Sequence, residues 1–189
     1  MNKQLYEQIK AYTPVNEQER NDQIIIQNAI KSYDDILYRE NKTAHFCASP
    51  WIMNRTMDKV LFVFHNIYRS WGWCGGHADG CENLLETALR EGKEETGLTN
   101  LIVHDVEILG LDILPVPQHT KNGKVIAPHL HFNVSFLCFA DERESIHIKP
   151  DENSAIGWFF THEIERIVSE PHMIPIYQKL IQSSRKRMK

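Results

Sequence analysis

A chain of 189 residues with 42% hydrophobic content can build one well-packed domain with some additional helix, but not two full domains. Charged residues make up 24%, which argues against general disorder, and a net charge of -4 argues against binding nucleic-acid polymers through a basic face. Anionic small molecules stay open as partners, because a bound divalent cation inverts the local field.

Leu5 and Ile9, four apart, begin a first helix, which Thr13-Pro14 breaks. Asn16-Glu17-Gln18-Glu19 is a helix start with acids in its first turn. From Glu17 to about Tyr38, Ile25, Ala29, Tyr33 and Leu37 recur every four residues, flanked by Ile26, Ile30 and Ile36. Such a stripe needs a partner surface. Residues 1–40 are therefore expected to form a helical extension packed on a main domain at 41–189, and the apolar helix could also serve a homodimer. His45 to Met53 reads as a strand in which Pro50 marks an edge or bulge. Val60 to Phe64 is a continuous apolar run, expected of a strand buried on both faces.

Trp71 to Gly80 is glycine-rich and aromatic, a loop with a short strand. Glu82 to Thr96 is a helix ended by Gly97. One or two strands follow in Leu101 to Leu114, then a long loop from Pro115 to Ala127 with a turn signal at Lys121-Asn122-Gly123-Lys124. His129 to Phe139 and Ile156 to Phe160 are strands. Thr161-His162-Glu163 caps a helix to about Val168, and Ile174 to Arg187 is a last helix with a basic, frayed tail. Strands with helices before, between and after them make an α/β layered architecture. There is no Gly-x-Gly-x-x-Gly and no Walker loop, so phosphate handling must come from another device.

The cysteines, Cys47, Cys74, Cys81 and Cys138, form no Cys-x-x-Cys pair, which argues against a zinc ribbon or a thioredoxin-like motif. No stretch approaches the ~18 apolar residues of a membrane span, and the N-terminus has no cleavage signal. The expectation is a cytoplasmic protein with reduced thiols and no membrane partner.

The chemistry is concentrated between Gly75 and Leu98. Glu91, Glu94 and Glu95 stand at i, i+3 and i+4 and share one helix face, while Leu85, Leu89, Gly92 and Thr96 cluster on another face that can bury. Three like charges on one face repel and raise one another's pKa. A hard cation would neutralise them, and carboxylate oxygens are the ligands that magnesium selects. A glutamate not used as a ligand could accept a proton from an attacking water. The alternative for the same residues is a solvated acidic patch.

The flanking residues favour the metal. The segment resembles the Nudix box, written G-x5-E-x7-R-E-U-x-E-E-x-G-U with U apolar: Gly76, Glu82, Arg90, Glu91, Glu94, Glu95, Gly97 and Leu98 fall on the pattern. Gly92 departs from it, standing where a bulky aliphatic is usual. The resemblance implies a mixed sheet sandwiched between helices, carrying here an added N-terminal helical segment. It implies Mg2+ or Mn2+ held by Glu91, Glu94, Glu95 and the Gly75 carbonyl, with Glu82 supporting the site or a second metal. Glu91 or Glu94 would take the proton, and Arg90 would hold the glutamates in place. The reaction implied is water attack on a diphosphate linkage of a small molecule of the nucleoside diphosphate-X type. Two alternatives are an enzyme similar to isopentenyl-diphosphate isomerase, which would need a cysteine such as Cys74, and a non-catalytic nucleotide-binding module.

Outside the box, His129 and His131 flank Leu130 on a strand and point to one side, toward substrate phosphates or a metal, or simply into sheet hydrogen bonds. His77 and Glu152 are further substrate-site candidates. Trp73, with Trp71 and Trp158, could stack on a base, core packing being the other reading.

Overall fold

The computed structural model describes residues 2–121 and 123–188. Helix α1 (Lys3–Ala11) is capped by the Asn2 side chain accepting from the Leu5 N–H, and α2 (Glu17–Ser32) by Asn16 accepting from the Glu19 N–H. Helix α2 is shorter than its apolar pattern suggests: Tyr33 is already extended, and Ile36 and Leu37 are buried from the turns that follow. Its buried stripe is also shifted in phase. Ile26, Ala29 and Ile30 pack inward, while Ile24, Ile25 and Tyr33 are exposed.

The strands are β1 (Ala44–Met53), β2 (Lys59–His65), β3 (Ser70–Gly72), β4 (Gly76–His77), β5 (Ile102–Val103), β6 (Gly110–Val116), β7 (His119–Lys121), β8 (Lys124–Ile126), β9 (His129–Phe139) and β10 (Asn153–Phe160). Between them lies α3 (Leu84–Thr96), and after a short 3-10 turn come α4 (Ile164–Ile167) and α5 (Ile174–Arg187). Among the described residues, a mixed eight-stranded sheet runs β10-β2-β1-β9-β5, with β3 paired to β2, β4 to β1 and β6 to β9. Its centre is the parallel pair β1 and β9, in register from Ala44↔Leu130 to Met53↔Phe139. β7 and β8 form a separate hairpin inside the expected long loop, on either side of its hairpin-like turn signal; the turn residue Asn122 lies outside the described residues.

Pro50 is therefore not on an outer strand. On the side of β1 away from β9, β4 pairs at Cys47 and Ala48 and β2 at Met53. Pro50 falls in the stretch between those pairings, where β1 is locally an edge and a missing N–H is tolerated.

Two layers cover the sheet. On one side Phe46, Ala48, Phe132, Val134 and Phe136 pack with Leu84 and Ala88 of α3 and with Leu5, Ile9, Ile26 and Ile30 of α1 and α2. On the other, Trp51, Phe62 and Leu137 pack with Tyr177, Leu180 and Ile181 of α5. The tail of α5 is docked rather than frayed: Arg187 donates to Asp105 at 2.8 Å and to the carbonyls of Glu107 and Ile108.

The N-terminal helices also attach by polar bonds. Instead of meeting another strand, the β6 N–H of Leu111 donates to Glu19 Oε1 at 3.2 Å and that of Ile113 to Asp22 Oδ2 at 3.1 Å. Both carboxylates are buried. Lys179 of α5 joins them, its Nζ 2.7 Å from Glu19 and 2.5 Å from Asp112. Tyr12 donates to Glu19 at 2.6 Å. No helix among the described residues is long and apolar enough to cross a membrane.

Candidate active site

Helix α3 positions the acidic residues. Asn83 caps its start and Gly97, at φ 72°, ends it in the left-handed conformation that favours glycine. The buried side carries Leu84, Thr87, Ala88, Glu91, Gly92, Glu95 and Thr96. The packing face is thus one step away from the expected Leu85–Leu89 line, and it takes Glu91 and Glu95 inward with it. Glu94 points outward and is exposed.

Two glycines make this burial possible. Glu95 Oε1 accepts the Gly75 N–H at 2.8 Å, and the Glu91 carboxylate lies against Gly76 with no room for a side chain between them. Asn153, at the start of β10, reaches Glu95 Oε2 at 3.4 Å. Glu152, one residue earlier, closes the cluster: Glu91, Glu95 and Glu152 bring carboxylate oxygens within 4.8 Å of one another. Burial, together with repulsion from Glu152 and Glu91 and against the Gly75 hydrogen bond, pushes Glu95 up to about 8. Burial also raises Glu91, against the pull of Arg90, whose Nη1 stands 2.6 Å from Glu91 and 3.7 Å from Glu94. Lys149 bridges the outer carboxylates, 3.6 Å from Glu94 and 3.4 Å from Glu152.

This chemistry fits a hard divalent cation. Carboxylates that burial and mutual repulsion drive toward protonation are the groups a cation would restore to the charged form. Glu82 is exposed, just before the cap Asn83, and is not one of the three carboxylates that converge. The departure at position 92 has a packing cause: a Cβ there would come within 2.9 Å of Pro50 Cγ and 2.8 Å of Leu101 Cδ2. Those side chains fill the space that an aliphatic residue would take.

Some candidates belong to the core instead. Trp73 is buried edge-on against Trp51 and Tyr177, so it offers no free face for stacking. Trp71 packs edge-on against Phe64 and Phe159. Cys74 is buried and its thiol is held well above its ordinary range, so the cysteine that an isomerase would need is not activated here. All four cysteines are free.

The histidines form a second group. His77, His129 and His131 gather around His45, a residue not singled out in the sequence, with ring centroids 4.9 to 5.0 Å from it. Strand pairing could have shown this only with the register known: His45 pairs with His131 on β9, and Cys47 with His77 on β4. Burial and the neighbouring imidazoles of His77, His45, His129 and His119 push His131 down to about 2, which keeps it neutral.

A family model described as NUDIX domain matches residues 47–180, leaving α1 and α2 outside. A protein of Lactococcus lactis subsp. cremoris (strain MG1363), named "Probable DHNTP pyrophosphohydrolase", is 27% identical over 146 residues, which are 77% of this chain and 83% of that one. The MutT protein of Methanosarcina mazei Go1 superposes with a TM-score of 0.57 at 17% identity, over 79% of this chain and 99% of the other. A C. elegans Ap4A hydrolase in a binary complex gives 0.52 at 19% identity, over 71% and 93%. At these identities the two structures speak for the fold.

Proposed function

We propose, for a chain that belongs to the NUDIX family and is a hydrolase of that family, that it cleaves a diphosphate linkage in a nucleoside- or pterin-type phosphate ester with the help of Mg2+. The observation that carries this reading is the convergence of Glu91, Glu95 and Glu152 beside Gly75 and Gly76. Glu91, Glu95 and Glu152 would hold the ion, with the Gly75 carbonyl beside them. Mn2+ suits the same oxygen donors. When bound, magnesium polarises phosphoryl oxygens and acidifies water.

The remaining work falls to the chain's own groups. Arg90 fixes Glu91 and Glu94 through its 2.6 and 3.7 Å contacts. Glu94, exposed at the mouth of the cluster, is the carboxylate left to accept the proton of the attacking water. Lys149 supplies positive charge at the same mouth, where a substrate phosphate would arrive. Glu82, exposed and outside the converging carboxylates, fits a supporting role more than a place among the ligands of this cluster. The name of the Lactococcus relative makes DHNTP the first compound to try, and that of the C. elegans enzyme adds Ap4A.

The test is a hydrolysis screen with and without Mg2+ over DHNTP, Ap4A, nucleoside triphosphates and nucleotide sugars, run beside Glu95→Gln. Wild-type turnover that needs Mg2+ and falls on the order of 100-fold or more in the variant is the expected result, several kcal/mol of transition-state stabilisation being at stake. Equal turnover by the variant would remove Glu95 from the site.

A further inference from the structure

We infer that His45, Cys47, His77 and His131 form a second metal site, one that takes a borderline-soft divalent cation such as Zn2+. One ligand atom from each residue lies within 4.8 Å of the others. Tetrahedral zinc with N and S ligands sets those atoms about 3.3–3.8 Å apart, a closure of about 1 Å that side-chain rotation supplies. The donor set contains imidazoles and one thiol and no carboxylate, which suits zinc and not magnesium. Three strands bring it together, since β1 carries His45 and Cys47 on one face, β9 sets His131 opposite His45, and β4 sets His77 opposite Cys47.

The hydrogen bonds orient the ligands. His45 is only 3% exposed, and its Nδ1 lies 3.1 Å from the Asn41 carbonyl, which fixes the proton on Nδ1. Nε2 is then a buried lone pair, and it has no hydrogen-bond partner among the described residues. A buried polar atom without a partner is uncommon and calls for one. The carbonyl–histidine–metal arrangement is the usual way of aiming such a nitrogen at an ion. His129 does the same for His131. Its Nδ1–H donates to the Ala127 carbonyl at 2.9 Å, so its Nε2 accepts a hydrogen bond from the Nε2–H of His131, 3.1 Å away. That leaves Nδ1 of His131 with a lone pair to offer.

This site shares no residue with the acidic cluster. Successive residues of a strand face opposite sides: Gly76 of β4 meets Glu91, while the His77 ring meets those of His45 and His131. An ion here ties β4 to β1 and β9 next to the glycines on which Glu91 and Glu95 rest. Coordination would deprotonate Cys47, whose thiol burial otherwise holds far above its ordinary range.

The test uses the untagged full chain, stripped of metal, dialysed with Zn2+ in excess Mg2+ and assayed for bound zinc. Cobalt(II) spectra and thermal unfolding are recorded beside it, and circular dichroism checks that each variant folds. One zinc per chain is expected. Cys47→Ser and His45→Ala should each weaken zinc at least tenfold, and Cys47→Ser should lose the thiolate-to-cobalt charge-transfer band. Zn2+ should raise Tm for wild type and for Glu95→Gln, but not for Cys47→Ser. Two results would overturn the site: no zinc retained against Mg2+, or zinc lost in Glu95→Gln and kept in Cys47→Ser. Zinc binding by a chain inactive on every diphosphate would sink the hydrolysis reading alone.

Discussion

The Glu91 carboxylate occupies the space in which any residue larger than glycine at position 76 would place its Cβ. A Cβ there would come within 2.7 Å of Glu91 Oε2 and nearer still to Cδ and Oε1. Gly76→Ala must therefore swing Glu91 out of the cluster. We expect the variant to fold, because the displaced group is the end of a flexible side chain, and to lose on the order of 100-fold or more in kcat, since misplaced catalytic geometry is that sensitive. Steady-state kinetics and a melting curve check it, and near-normal kcat would show that Glu91 is not needed where it stands.

Gly92, the next residue on the buried side of α3, meets Pro50 and Leu101 instead. Alanine is the better helix former by about 1 kcal/mol, yet its Cβ would press on the rigid ring of Pro50 and on Leu101. Leucine, the kind of residue the family pattern leads one to expect, is larger still. Gly92→Leu should destabilise the chain by about 1–3 kcal/mol through overpacking, read as a lower urea midpoint at unchanged slope. A stabilised variant would mean that β1 yields at Pro50.

These two glycines show what the sequence could carry. The spacing of Gly76, Glu91, Glu94 and Glu95 identified the family and the acidic helix, because a helix makes sequence spacing into geometry. It did not show that Glu91 and Glu95 turn inward while Glu94 turns out, since the difference depends on what α3 packs against. Glu152 could be suspected from its place late in the chain, but Asn153 and Lys149 join the cluster only through the path of β10. The histidine group was half visible, as His129 and His131 share a strand face. His45 and Cys47 lie over 80 residues earlier, and only the parallel register of β1 with β9 brings them together. Trp73 carried the same composition signal as a stacking residue and proved to be core, because aromatic type alone does not tell a wall from a floor.

Glu19 takes the place of a strand on the outer edge of β6. Replacing it by alanine frees the Leu111 N–H, leaves the Tyr12 hydroxyl only the Leu109 carbonyl at 3.4 Å, and leaves Lys179 with Asp112 as its remaining close ion pair. Breaking a buried pair from one side is strongly destabilising, by about 3–5 kcal/mol. Hydrogen exchange should show lost protection at Leu111 and Ile113, with strands β1 and β2 less affected. Unchanged protection at those two amides would mean that the N-terminal helices hold by apolar contact alone.

Asp112, beside Lys179 in that network, supplies a pH dependence. Burial outweighs the attraction of Lys179 and pushes its carboxyl up to about 6 from an ordinary 3.8. The unfolded chain therefore gives up this proton first. Between about pH 4 and 6 the folded state binds more protons, so this group's contribution to stability is full below that window and is lost as pH rises through it. A shift of this size corresponds to about 2–3 kcal/mol. Asp112→Asn keeps an oxygen facing Lys179 but cannot ionise. It should match wild type near pH 4 and exceed it by about 1–3 kcal/mol at pH 7.5, measured as urea midpoints of both proteins at both pH values. A variant weaker than wild type at pH 7.5 would show that the 2.5 Å contact with Lys179 outweighs the burial of the charge.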